Sequence, residues 1–276
     1  MINNKFKIID SHCHIFPEKI AQKATDSIDI FYGISEAGVI DGCAFVGTAK
    51  NLISQCDSVG IDKCLVTSVA TTPHHAQSIN TFIASEVNIF PERFIGFGSL
   101  HPDSETLEDD AEHLIELGLK GVKLHPDIQN FKVDDPKVIK IFEICNEKNL
   151  PILLHTGDLR FDNSNPNRVE KILKMFPDLI IIGAHFGGWS VWDTAPQILC
   201  KYKNLYVDTC SSFYTLSKER AKEIIELYGT DRILFGTDFP MWKQEEELKF
   251  LFSLGLSKEE LENILYKNLA KILNIK

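Results

Sequence analysis

The sequence predicts a (β/α)₈ barrel, the TIM-barrel fold, from three observations. Eight short runs rich in Val, Ile, Leu and Phe have the composition of strands that are buried on both faces. From the second run onward these runs begin 25 to 30 residues apart, which is the length of a strand, a helix and two loops. The 276 residues also match the usual size of a single barrel, so we expect one domain over residues 1–276.

The predicted strands follow one another regularly along the chain. They lie near residues 6–16, 63–70, 93–100, 121–126, 151–156, 179–186, 204–210 and 232–240. From the second strand onward, segments with helical periodicity separate them. The final segment, SKEELENILYKNLAKILNIK, predicts a closing C-terminal helix with Ser257 at its N-cap.

One interval between predicted strands is much longer than the others. The first strand begins 57 residues before the second, and the excess, residues 17–62, contains several glycines and aromatic residues. Loops that follow barrel strands open onto the catalytic face, so this insertion after strand 1 predicts a lid or a pocket wall. A packing element or a dimer contact is an equally good interpretation.

The composition indicates a cytoplasmic protein that acts on small molecules. The net charge is −10 without any basic run, which argues against nucleic acid and anionic membrane as partners. No apolar run reaches the length of a membrane span, and the N-terminus lacks the apolar region of a signal peptide. The seven cysteines form no CxxC pair, which is typical of reduced thiols in the cytoplasm.

Five polar residues stand at the ends of predicted strands, and they carry the functional prediction: His12, His14, His155, His185 and Asp238. The carboxyl ends of barrel strands converge on one mouth. Imidazole nitrogen and carboxylate oxygen are ligands that zinc takes in catalytic sites, where a water position stays open. The pattern therefore predicts a metal-dependent enzyme.

The spacing of these residues assigns most of the roles. His12 and His14 are two residues apart and share one face of strand 1, whereas Cys13 points to the other face and packs in the core. Barrel closure brings Asp238 beside them, and His155 approaches from across the barrel. These four residues are the expected ligands of one divalent metal, most simply Zn²⁺.

Two residues are expected to move protons or hold the substrate. Asp238 is the expected general base, because a carboxylate beside a metal-bound water can take its proton. His185 precedes Gly187 and Gly188, which suggest a close backbone approach. His185 is either a ligand of a second metal or a hydrogen-bond partner of substrate or water.

The motifs DSHCHIF, GVKLHP, LLHTGD, GAHFGG and GTDFPMW resemble those of the amidohydrolase superfamily over nearly the whole chain. Within it they resemble the amidohydrolase 2 group, the metal-dependent hydrolases similar to aminocarboxymuconate-semialdehyde decarboxylase. The resemblance implies His12, His14, His155 and Asp238 as metal ligands and His185 as a catalytic histidine. It also implies a homodimer, which is common among such proteins.

The resemblance leaves the number of metals open. In binuclear members of the superfamily, a strand-four lysine carboxylated by CO₂ bridges two metals, and Lys123 stands at that place. Its alternative role is a buried cation that faces a substrate carboxylate or Asp10. His125, two residues further on, shares its face.

Two residues near the mouth of the barrel each have two alternative roles. Arg160 either holds a substrate carboxylate with its guanidinium or forms a salt bridge with Asp158 or Asp162. Trp242 either lines the pocket or packs in the core.

The same metal ligands serve three candidate functions. The first is a hydrolase that uses a metal-activated water on an amide or lactone. The alternative is a non-oxidative decarboxylase of a small aromatic or unsaturated acid. The third, a non-catalytic metal-binding scaffold, would need a closed ligand set, whereas His185 is spare at an open mouth.

Overall fold

A computed structural model describes residues 6–33 and 42–275, so residues 1–5, 34–41 and 276 lie outside the described part. Within that part the chain alternates short parallel strands with helices. The strands are β1 Ile9–His14, β2 Lys63–Thr67, β3 Phe94–Gly96, β4 Gly98–Ser99, β5 Val122–Leu124, β6 Ile152–Leu154, β7 Ile181–Gly183, β8 Leu205–Asp208 and β9 Ile233–Leu234.

The strands form a closed parallel barrel with eight positions. β1, β2 and β3 pair in order, and β4 to β9 pair in order. β3 and β4 are the two halves of the third predicted strand, interrupted at Phe97, whose N–H donates to the carbonyl of Val66 at 3.0 Å. The N–H of Ser11 donates to the carbonyl of Phe235 at 2.8 Å, which joins the first position to the eighth. The predicted TIM barrel is confirmed.

Helices follow most of the strands. They are α1 Ala21–Tyr32, α2 Ala49–Val59, α3 Ala76–Ile89, α4 Leu107–Glu116, α5 Pro136–Lys148, α6 Pro166–Met175, α7 Ala195–Leu199, α8 Lys218–Tyr228, α9 Gln244–Phe252, α10 Lys258–Glu262 and α11 Asn268–Ile272. A π-helical turn, Asn263–Lys267, joins α10 to α11, so the predicted closing helix is present. Ser257 caps it through a capping box with Glu260.

The insertion after β1 contains two helices with different positions. α2 leads into β2 and contacts α9, as an ordinary helix of the outer ring does. α1 is additional to the repeating strand–helix pattern. Part of the predicted insertion, residues 34–41, lies outside the described residues, and the interpretation as a lid stays a prediction.

The buried apolar residues form two layers. The larger lies between the strands and the surrounding helices, and it includes Cys13 as expected. The smaller fills the barrel interior and includes Ile9, Leu65, Phe97, Leu153, Ile182, Tyr206 and Leu234. Side chains alternate along a strand, so Leu153 shares its face with His155 two residues later. The interior layer is therefore an apolar floor beneath the polar strand ends.

Candidate functional site

Three of the expected metal ligands meet at one point above this floor. His12 Nε2 lies 3.2 Å from His14 Nε2, and Asp238 Oδ1 lies 3.6 Å and 3.3 Å from these two atoms. Donors about 2.1 Å from a shared ion lie roughly 3.0 to 3.4 Å from one another at ordinary coordination angles. Both distances from His14 fall in this range and the 3.6 Å distance lies just above it, so the three atoms are close enough to share a divalent cation. Their role as metal ligands stays a prediction.

His155 turns towards His185 instead. His155 Nδ1 lies 2.9 Å from His185 Nε2, and both rings are buried. The other ring nitrogen, His155 Nε2, lies 3.5 Å from Asp127 Oδ2, and neither of these atoms has a hydrogen-bond partner among the described residues. The donors thus form a group of three and a neighbouring pair, so the four-ligand set stays a prediction.

Lys123 is fully buried beside the group of three. Its Nζ lies 2.9 Å from His12 Nε2. Burial lowers the pKa of the Lys123 ammonium, which favours the neutral amine that reacts with CO₂. The Asp10 carboxylate accepts hydrogen bonds from the hydroxyl and the N–H of Thr237 at 2.5 and 3.0 Å, whereas the Lys123 ammonium lies beside His12. The alternative role of Lys123 as a buried cation stays a prediction.

Asp208, at the end of β8, fixes the orientation of His12. Its Oδ2 lies 2.8 Å from His12 Nδ1, and its Oδ1 accepts the N–H of His185 at 2.9 Å. Burial opposes ionisation of Asp208, but His12 lowers its pKa, so the carboxylate is the acceptor. His12 Nδ1 therefore carries the ring proton. The lone pair of His12 Nε2 points into the space that this atom shares with His14 Nε2 and Asp238 Oδ1.

The variant Asp208→Asn is expected to weaken metal binding about tenfold to hundredfold. The amide can donate to His12 Nδ1, which would move the ring proton to Nε2, the atom that faces the other donors. Competition against a chromogenic chelator measures the dissociation constant. Asp193→Asn is the matched control, because the Asp193 side chain is 97% exposed. Equal metal affinity in the two variants would contradict this role.

A chain of two hydrogen bonds orients Asp238. The hydroxyl of Ser211 donates to Asp238 Oδ2 at 2.6 Å, and the indole N–H of Trp242 donates to Ser211 Oγ at 2.8 Å. Asp238 Oδ1 is thereby directed to the histidines. Trp242 stacks on Tyr214 with ring centroids 4.8 Å apart. It is not among the described residues that line the cavity, so it contributes to the site by holding Ser211 rather than by contacting a ligand.

Asp238 is held in its ionised form. Burial alone would raise the pKa of Asp238. The nearby His12 and His185 and a hydrogen bond with His14 outweigh burial and hold this pKa well below its ordinary value. A buried carboxylate that remains ionised can both bind a cation and accept a proton from a bound substrate or water.

Several residues of the site adopt left-handed backbone conformations. The φ angles of His185, Ser211 and Asp238 are 60°, 47° and 57°. Such conformations are uncommon for residues with a Cβ atom and cluster at functional sites. The expected close backbone approach is also present, because a Cβ atom on Gly157 would lie 2.6 Å from the carbonyl carbon of Gly188.

Arg160 forms a salt bridge with Asp158, which is one of the two roles that the sequence leaves open for it. Its Nη2 lies 2.8 Å from Asp158 Oδ2, and its Nη1 donates to the carbonyl of Phe31 at 2.7 Å. Its guanidinium lies over the rings of Phe31 and Phe161 at 5.1 and 5.2 Å. Arg160 therefore joins the loop after β6 to the end of α1.

A cavity of about 750 Å³ opens onto the donors. His14, His125 and Asp238 line its polar end, and the role of His125 in binding a substrate stays a prediction. Most of the other lining residues are apolar: Phe16, Ile20, Ala24, Ile28, Phe31, Val69, Ile79, Phe82, Ile128 and Met241. The hydroxyl of Tyr32, at the end of α1, lies 2.9 Å from His125 Nε2. α1 thus forms one wall of the cavity.

Metal binding is expected to persist at lower pH than it would with exposed histidines. Burial lowers the pKa values of His12 and His14 below the ordinary 6.5. Protons compete with a metal only as the pH falls through the pKa of its ligands, so a lowered pKa shifts this competition to lower pH. Metal analysis after dialysis should show equal content at pH 8 and pH 6.5. Loss of half of the metal by pH 6.5 would be inconsistent with these shifts.

Asp208, Ser211, Asp127 and Tyr32 were not predicted from the sequence. Asp208 had a usable signal, because it stands two residues before the end of the run NLYVDTC, just as Asp238 stands two residues before the end of RILFGTDFP. The other three lie in loops or in the insertion, where no periodic pattern predicts the direction of a side chain.

The family model of the amidohydrolases known as amidohydrolase 2 matches residues 9–275. The chain belongs to the amidohydrolase family. The expected resemblance is therefore confirmed, and this amidohydrolase is an enzyme of the amidohydrolase superfamily.

One curated relative is a 2-amino-3-carboxymuconate-6-semialdehyde decarboxylase from Dictyostelium discoideum. It is 25% identical over 203 residues, which are 60% of this chain and 56% of the relative. The matched region thus spans little more than half of that relative's length.

Solved structures share the fold at low sequence identity. An uncharacterised TIM-barrel protein from Bordetella bronchiseptica has a TM-score of 0.81 and 20% identity, with 98% of this chain and 99% of that chain covered. A 5-carboxyvanillate decarboxylase from Sphingomonas paucimobilis has a TM-score of 0.76 and 16% identity over 99% and 100% of the two chains.

A third structure contains a metal. It is a dihydroxybenzoic acid decarboxylase from Polaromonas with bound manganese and the inhibitor 2-nitroresorcinol, and it has a TM-score of 0.70 and 18% identity over 98% of each chain. A divalent metal is therefore present in a structural relative. No helix among the described residues of this amidohydrolase has the length and apolarity that a membrane span requires.

Proposed function

We propose that this amidohydrolase is a metal-dependent, non-oxidative decarboxylase of a small aromatic or unsaturated carboxylic acid. The observation that carries the proposal is the shape of the cavity. An apolar chamber ends at His14, His125 and Asp238, so its walls suit a flat apolar body and its polar end suits the acid group.

The relatives favour this reaction over hydrolysis. The curated relative and two of the solved structures are decarboxylases by name. Hydrolysis of an amide or lactone would use the same donors and the same Asp238, so the ligand set does not separate the two reactions. The apolar cavity and the relatives together support decarboxylation, which was the alternative in the sequence analysis.

We propose that His12, His14 and Asp238 hold the divalent metal. His155 and His185 form the adjacent donor pair, so His155 is the fourth ligand of this metal, or both bind a second metal if Lys123 is carboxylated. Zinc is the expected metal and manganese the alternative, because manganese is bound in a structural relative. Metal analysis of the purified chain decides both the identity and the number of metals.

The reaction breaks one carbon–carbon bond. The bond to the carboxylate breaks with its electron pair left on the substrate carbon, CO₂ departs, and a proton is added to that carbon. The metal, when bound, would hold substrate oxygens and stabilise the negative charge that develops. Asp238, ionised and oriented by Ser211, would accept a proton from a substrate hydroxyl and return it to the carbon. His185 is the other candidate for this proton transfer.

The experiment is a comparison of two substrate panels with the metal-loaded enzyme. Hydroxylated aromatic acids and unsaturated acids are expected to release CO₂, which is measured by a coupled assay. Lactones and N-acyl compounds are expected to remain intact. The chelated enzyme is the control and should be inactive with both panels. Hydrolysis of the second panel without CO₂ release from the first would refute the proposal.

The cytoplasmic location and the homodimer stay predictions. Sedimentation velocity of the purified chain measures the assembly, and cell fractionation measures the location. A monomer at all tested concentrations would contradict the expected dimer.

A further inference from the structure

We infer that the substrate carries one carboxylate and a long apolar substituent, such as an alkyl chain. This inference rests on the proposed decarboxylase function and specifies its substrate class. It is carried by the course, the lining and the size of the cavity described above.

The cavity extends well beyond the mouth of the barrel. His14 and Asp238 line its inner end, whereas Ile79 and Phe82 belong to α3. α3 contacts β3 and β4 as part of the surrounding ring of helices, outside the barrel. A cavity that touches both sets of residues must therefore run outward from the metal ligands, between α1 and α3.

Both helices contribute half-buried apolar side chains to the outer part of this passage, Ala24 and Ile28 from α1 and Ile79 and Phe82 from α3. The polar residues that line the same part are exposed and therefore lie at its rim: Lys23, Ser27, His75 and Ser78. An apolar chain placed between these helices would lose contact with water and would gain binding energy in proportion to its buried area. A polar chain would gain no comparable energy there.

The passage offers little that could hold a second carboxylate. Among the described residues that line it, Lys23 is the one lysine or arginine, and its side chain is exposed. Arg160 is bound to Asp158, and Lys123 lies beneath the cavity beside His12. A second carboxylate attached directly to the reacting ring would be desolvated among apolar side chains without a partner, which is unfavourable.

The size of the cavity agrees with an extended ligand. A volume of about 750 Å³ lies in the upper part of the range for small-molecule sites. A single-ring acid would occupy a small fraction of it. An added apolar chain would fill the remaining space between the two helices.

Binding of three probes to the manganese-loaded full chain tests the inference. The probes are 2-hydroxybenzoic acid, its 4-hexyl derivative and its 4-carboxy derivative, and calorimetry gives each affinity without requiring turnover. We expect the hexyl derivative to bind at least about tenfold more tightly than the parent acid. We expect the carboxy derivative to bind more weakly than the parent.

Two substitutions on α3 show whether the preference arises in the passage. Phe82→Arg places a cation there and should reduce the hexyl preference to less than about threefold while improving the binding of the carboxy derivative. Ile89→Arg is the matched control, because Ile89 lies on the same helix, is 62% exposed and does not line the cavity. Ala24→Phe, which narrows the passage from α1 without adding charge, should also reduce the preference.

The outcomes separate this inference from the proposed function. A hexyl derivative that binds no more tightly than the parent, or that does not bind, overturns the inference whether or not CO₂ is released. Equal loss of the preference in Phe82→Arg and Ile89→Arg also overturns it. A retained hexyl preference without CO₂ release from any probe overturns the decarboxylase proposal instead.

Discussion

Replacing Asp238 with alanine is expected to abolish turnover, with a loss of more than about a thousandfold in kcat. The Asp238 carboxylate lies 3.3 Å from His14 Nε2 and remains ionised in a buried site. In the proposed reaction Asp238 both binds the metal and transfers the reacting proton, so its loss would remove two functions at once. CO₂ release under single-turnover conditions measures the effect.

The isosteric variant Asp238→Asn separates these two functions. The amide keeps the shape of the side chain and one oxygen for a cation, but it cannot accept the reacting proton. We therefore expect Asp238→Asn to retain a measurable part of the bound metal and to remain inactive. Asp193→Asn, at an exposed surface position, is the control and should keep full activity. Full turnover in either Asp238 variant would exclude this residue from the reaction.

His12→Ala is expected to remove the bound metal and, with it, turnover. His12 has the most contacts in the site, since Nε2 lies close to His14, Lys123 and Asp238 while Nδ1 is held by Asp208. We expect metal affinity to fall at least about a hundredfold, which exceeds the effect of changing Asp208 alone. Metal content after gel filtration and kcat at saturating metal are the measurements.

The control for this variant is His74→Ala, because His74 is an exposed histidine outside the donor group. Thermal unfolding of both variants shows whether the barrel remains folded. If His12→Ala kept one metal per chain and normal turnover, the group of His12, His14 and Asp238 would not be the metal site.

The positions of the principal donors could be predicted because they follow local rules. Alternation along β1 places His12 and His14 on one face, and the convergence of parallel strand ends brings Asp238 to them. These rules depend on strand order and periodicity, which can be read from a single sequence. The same rules predicted the barrel and the closing helix after Ser257.

Other parts of the site depend on side-chain rotations that the sequence does not encode locally. His155 was expected to join the other ligands, yet its Nδ1 faces His185 and its Nε2 faces Asp127. Arg160 had two possible partners, and the short distance to Asp158 together with the carbonyl of Phe31 decides between them. Such choices follow from the packing of segments that are far apart in the chain.

The sequence by itself determined the fold, the family and the strand ends at which the candidate donors lie, because periodic burial and the order of motifs are local properties. The tertiary structure alone decided that α1 and α3 both line the cavity, and therefore how far the cavity extends beyond His14 and Asp238. It also decided that Asp208 and Ser211 orient His12 and Asp238. These features depend on contacts between distant segments, whose geometry is set only when the whole chain packs together.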